Sequence, residues 1–113
     1  MKQFWFSVIA AITLSSCSAG TPVAITNHSA APIENVTIFG SGFTTQVGHI
    51  ASGQTVSVRV EPTGESGLGL DFRSGSRQIH VRPQGYFEGG AAYKVSVVIA
   101  PDLSARVNGN LRY

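Results

Sequence analysis

The stretch Val56-Ser57-Val58-Arg59-Val60-Glu61 alternates apolar and polar side chains without a break. A period of two places the three valines on one face of an extended chain and the three polar groups on the other, the pattern of a strand with one buried side. The alternation recurs: Val36 and Ile38 stand against Asn35 and Thr37, Leu68, Leu70 and Phe72 share a face, and so do Tyr93, Val95, Val97 and Ile99. Between these runs lie Gly, Ser, Asn and Pro clusters at intervals of about 8 to 12 residues, the spacing of a sandwich or barrel. No segment carries a helical period.

The strands predicted on this basis are 23–27, 35–39, 44–50, 56–61, 68–72, 77–81, 93–100 and 103–107. Gly40-Ser41-Gly42 and Arg73-Ser74-Gly75-Ser76 read as turns, and Asn108-Gly109 carries a strong turn signal. Pro83 is expected to end the sixth strand, because proline donates no ladder hydrogen bond. The glycine-rich stretch 84–90 then reads as a loop. Seven or eight short strands in one domain, 23–113, give an all-β fold, a compact antiparallel β-sandwich. In pattern it resembles immunoglobulin-like or transthyretin-like domains, without the Cys-Trp-Cys signature, since the one tryptophan is Trp5.

Of the 113 residues only 12% are charged, and 13 are glycine, which suits a turn-rich β domain more than a disordered chain. The formal charge of +2 comes from eight basic and six acidic side chains. One of the eight is Lys2, outside the expected domain, and no run of Lys or Arg follows elsewhere. Composition therefore argues against a nucleic-acid partner.

The first twenty residues differ from the rest. Lys2 precedes Phe4-Trp5-Phe6-Ser7-Val8-Ile9-Ala10-Ala11-Ile12-Thr13-Leu14, and small polar residues follow. Charge, apolar run and small residues in that order make a secretory signal peptide. A transmembrane helix needs about 20 apolar residues to cross the hydrocarbon core, and this run falls well short. The sole cysteine, Cys17, comes directly after it, in Leu14-Ser15-Ser16-Cys17.

That tetrad resembles the lipobox of bacterial lipoproteins. The resemblance implies cleavage after residue 16, a diacylglyceryl thioether on Cys17 and acylation of its amine, so that 1–16 is the signal peptide and 17–22 the lipidated cysteine with a short tether. Two or three acyl chains hold a protein stably where one holds it marginally. In this family the serine at position 18, in place of aspartate, implies sorting to the periplasmic face of the outer membrane in a diderm host. Lipid consumes the only thiol, so the domain must be stable without disulfides.

Candidate chemistry is sparse. The histidines are His28, His49 and His80; none sits in a nucleophile context, and all three read as surface or rim residues. No two lie at metal-ligand spacing and the six acids are scattered, so neither a metal nor another cofactor is expected. Gly40-Ser41-Gly42-Phe43 follows a strand as phosphate-binding turns do, but β-like Thr44-Thr45-Gln46-Val47 stands where a helix would be needed.

Two features suit binding. Gln78, His80 and Arg82 share one face of their strand with Arg73 across the turn, a basic stripe able to meet an anionic group. It reads equally as a solvated face whose charges deter edge-to-edge pairing. Tyr86 and Phe87 stand between glycines, where aromatics often anchor a partner. Alternatively, one plugs the end of the sandwich and the other shields it. The expectation is a lipid-anchored, non-catalytic envelope protein that binds a protein or envelope component near the membrane. The rivals are a small periplasmic inhibitor or assembly-machine lipoprotein, and a hydrolase with an unfamiliar site around His80 or His49.

Overall fold

The structure, a computed structural model, describes residues 20–112. The expected signal peptide and Cys17 therefore lie outside the described residues. Eight strands form: β1 (Thr21–Asn27), β2 (Ile33–Gly40), β3 (Phe43–Ile50), β4 (Thr55–Val60), β5 (Glu65–Ser74), β6 (Arg77–Glu88), β7 (Tyr93–Ile99) and β8 (Ala105–Leu111). They build two four-stranded sheets, ordered β4-β1-β7-β8 and β3-β2-β5-β6, which stack as a sandwich.

Three hairpins stay within a sheet, at β2–β3, β5–β6 and β7–β8, and the other connections cross between sheets. The β2–β3 and β5–β6 turns carry Gly42 and Gly75 at φ of 78° and 60°, a region that costs glycine little. The β7–β8 turn is tied by Asp102, whose carboxylate accepts from the Ser104 amide at 3.0 Å and its hydroxyl at 2.7 Å.

The valine alternation seen in the sequence becomes the inner face of β4, with Val56, Val58 and Val60 packed toward the core. Val23 and Ile25 of β1, Val95, Val97 and Ile99 of β7, and Val107 of β8 complete that layer. Ile33, Val36, Ile38, Ile50, Leu68, Leu70, Phe72 and Phe87 form the facing layer. Burying such side chains contributes on the order of 1.5–3 kcal/mol each, the main term holding the two sheets together.

Four local expectations are corrected. The sandwich is not wholly antiparallel: β1 runs parallel to β7, with Val23 opposite Val95 and Ile25 opposite Val97. The sixth strand does not stop at Pro83 but continues to Glu88. Since β6 is the edge of its sheet, a proline there can leave its donor-free side to solvent. The stretch 84–90 is accordingly strand as far as Glu88 and turn only at Gly89-Gly90. Asn108-Gly109 lies inside β8, and β1 begins at Thr21, within the expected tether.

Candidate functional site

The β5–β6 hairpin brings the basic stripe together as its spacing implied. Arg73 stands opposite Gln78 and Asp71 opposite His80, and Gln78, His80 and Arg82 are all exposed on the outer face of their sheet. What the sequence did not reveal is the acid beside them. Asp71 accepts from the Nδ1–H of His80 at 2.5 Å, and Glu34 of β2 lies 3.6 Å from Arg73 and 3.8 Å from His49. Exposed pairs of this kind add little stability, but they cancel much of the stripe's positive field.

Phe39 completes this face. Its ring stacks on the imidazole of His80 at 5.8 Å and 12°. The ring lies flat over Gly69, where an added Cβ would sit 2.6 Å from it. The imidazole is thus fixed by a carboxylate on one nitrogen and a ring on its face. An acid–base pair catalyses acyl transfer only with a nucleophile in reach. Among the described residues no serine or threonine hydroxyl hydrogen-bonds to His80. His28 and His49 are exposed as well.

Alternation at the end of β6 separates the two aromatics. Phe87 turns inward, is fully buried and packs against Phe43 with ring centroids 6.3 Å apart, so it is a core residue closed to any partner. Tyr86 turns outward and is 46% exposed. Its ring meets Tyr93 edge-on at 6.2 Å and 76°. Its hydroxyl donates to the Glu88 carboxylate. That bond above all, with lesser contributions from desolvation and the charges of Glu65 and Glu88, pushes the phenol up to about 12.

Tyr86 and Tyr93 form one wall of a groove of about 540 Å³, whose other side is Asn108, Asn110 and Leu111 of β8. Two glycines let β6 lie directly on β8. A Cβ on Gly85 would come 3.0 Å from Val107, and one on Gly109 would collide with the Tyr86 carbonyl. Leu111, 47% exposed, and Tyr86 are the two exposed large hydrophobic side chains among the described residues, and both open into this groove. A rigid aromatic wall, an aliphatic side chain and two amides able both to donate and to accept suit recognition of a partly polar surface.

Sequence reasoning found Tyr86 but missed Tyr93, Asn108, Asn110 and Leu111 as its companions. The one available signal was the outward phase of Asn108 and Asn110 in a continued β8, hidden by the turn-like Asn-Gly pair. Among the described residues no three His, Cys, Asp or Glu side chains converge as metal ligands would. No protein-family model, curated protein or solved structure matches the chain.

Proposed function

We propose that this chain is a lipid-anchored bacterial envelope protein, held at the periplasmic face of the outer membrane, whose sandwich is a non-catalytic binding module. Its partner, a protein or other envelope component, seats in the Tyr86–Tyr93–Leu111 groove. The carrying observation is that both exposed large hydrophobic side chains among the described residues open into that one groove. Monomeric surfaces seldom gather such groups without a use, and tyrosine supplies much contact area at small entropic cost. The anchor rests on Leu14-Ser15-Ser16-Cys17 behind the apolar run.

Crosslinking of the acylated protein in intact cells tests the reading. A specific adduct is expected from the parent chain and its loss from Tyr86→Ala combined with Leu111→Ala. Truncating an aromatic anchor typically costs 2 kcal/mol or more, about thirtyfold in affinity. An adduct indifferent to the groove, or none at all, contradicts the reading. Cys17→Ala should abolish lipid labelling, and a labelled, cleaved product from that variant would contradict the anchor.

One observation favours a second reading, hydrolysis: the Asp71–His80 pair has the geometry of an oriented acid–base couple. It predicts that His80→Ala abolishes the cellular phenotype while the groove double variant is silent. The binding reading predicts the reverse.

A further inference from the structure

We propose that the outer face of the β4-β1-β7-β8 sheet is a docking surface for an anionic phospholipid bilayer. The face carries Arg59 of β4, Lys94 of β7 and Arg106 of β8, all exposed and out of phase with the inward valines of their strands. Register spreads them over the sheet. Arg59 pairs with Pro22, which lies one residue before the Val23–Val95 pair, so Lys94 sits two strands from Arg59. Arg106 pairs with Val98, four residues along β7 from Lys94. Strand spacings of about 4.8 Å and a rise of about 3.3 Å per residue make this a footprint on the order of 10–13 Å across.

No carboxylate shares that footprint. Glu34 and Asp71 lie on the opposite sheet, paired with Arg73 and His80. Glu61 follows β4, Glu65 opens β5 opposite Glu88 at the end of β6, and Asp102 is bound to Ser104 in the β7–β8 turn. The Arg59 guanidinium reaches a carbonyl, that of Gly20, at 3.2 Å. The two faces of the sandwich thus differ in kind, one mixed and internally paired, the other carrying cations alone.

The face is also low in relief. Ser57, Ala24, Ser96 and Asn108 form a continuous cross-sheet row of short side chains. Beside it a trough of about 330 Å³ is flanked by Lys94 and Arg112. Long basic side chains around a low floor can lay their stems on the surface and extend their charges to phosphates. A protein partner would want a large apolar or aromatic anchor at the centre, and the centre here is serine and alanine. A bilayer, whose headgroups present many mobile phosphates, needs no such anchor.

The placement fits the anchor and in that respect rests on the lipoprotein reading. Three residues separate Cys17 from Gly20, a reach of at most about 10 Å. The end where β1 starts carries Glu61 beside Gly20 and Thr21, with the Glu65–Glu88 pair nearby. Anionic headgroups repel that acidic end and attract the cationic face, so the tethered domain lies down on this sheet.

The test omits the lipid, so its failure is separable from failure of the anchor. Residues 18–113, which contain both sheets and the whole described core, are mixed with vesicles of phosphatidylcholine alone or with about one third phosphatidylglycerol, and co-sedimentation is measured. Binding is expected to the anionic vesicles only and to vanish as salt shortens the Debye length from about 10 Å at 0.1 M to about 3 Å at 1 M. Each of Arg59→Gln, Lys94→Gln and Arg106→Gln should weaken it about fivefold, while Arg77→Gln and Arg82→Gln, on the other sheet, leave it unchanged. Unaltered circular dichroism shows that the variants fold. Equal binding to neutral vesicles, equal loss from the Arg77 and Arg82 variants, or equal affinity for polyglutamate or duplex DNA overturns the proposal.

Discussion

Asn27 should be the most costly polar residue to replace. It is the last residue of β1, is fully buried, and uses every polar atom of its amide. Nδ2 donates to the Ala31 carbonyl at 2.9 Å and to that of Ile50 at 3.1 Å. Oδ1 accepts from the Ser29 amide at 2.9 Å and from its hydroxyl at 2.6 Å. One side chain thereby ties the β1–β2 turn to the end of β3. Asn27→Ala strands the Ser29 amide and two carbonyls, at roughly 1–3 kcal/mol for each group that water cannot reach. The Ala31 side is only partly buried, so the loss should be about 3 kcal/mol in total.

For a domain of this size that lowers Tm by roughly 12–24 °C, and urea unfolding followed by far-ultraviolet circular dichroism should show a shifted midpoint at an unchanged slope. Asn27→Asp should cost more at neutral pH, because a carboxylate only accepts and would face two carbonyl oxygens. Burial and those oxygens raise the native pKa of the introduced acid. The native state then binds more protons than the unfolded chain above about pH 4, so this variant loses stability as pH rises through that window. A loss below about 1 kcal/mol for Asn27→Ala, or a flat pH profile for Asn27→Asp, would refute the reasoning.

Phe87→Ala should cost about 3–5 kcal/mol, whereas Tyr86→Ala on the groove side should cost under about 1 kcal/mol; similar urea midpoints would show that β6 does not alternate as described. In ultraviolet titration Tyr86 should ionise last, near 12, and Glu88→Gln should bring it back toward 10.0. Its neutral phenol is favoured in the folded state, so that contribution is complete below 10.0 and is lost as pH rises through about 12; no response to Glu88→Gln would reject the hydrogen bond as its cause. Asp102 is held below its ordinary 3.8 by the Ser104 hydroxyl and amide. Its stabilisation of the β7–β8 turn should be present above the unfolded pKa and fade as pH falls through the lower folded value. An NMR titration placing Asp102 at or above 3.8 would contradict that.

How much of this was readable in the chain depended on how local each cause is. The β4 and β7 faces were legible because Val56, Val58, Val60 and Val95, Val97, Ile99 state their own period, and the Gly42 and Gly75 turns because a backbone demand is met by one residue. The parallel pairing of β1 with β7 left no local mark, since the partners lie about seventy positions apart. Pro83 misled because its prohibition depends on which side of β6 faces a neighbour. Asn108-Gly109 misled because a glycine demanded by the nearby Tyr86 carbonyl looks the same as one demanded by a turn. The basic stripe was found, but its neutralisation by Glu34 and Asp71, and the groove that joins β6 to β8, arise only when separate segments meet.

The central claim is that the Tyr86–Tyr93–Leu111 groove is the surface at which this protein meets its partner. The most direct measurement replaces Leu111, or exposed Thr44 of β3, with a photoreactive phenylalanine analogue in the acylated protein, then irradiates intact cells. The account predicts a discrete adduct from position 111 and none from position 44. Adducts of equal yield from both positions, or from position 44 alone, would contradict it.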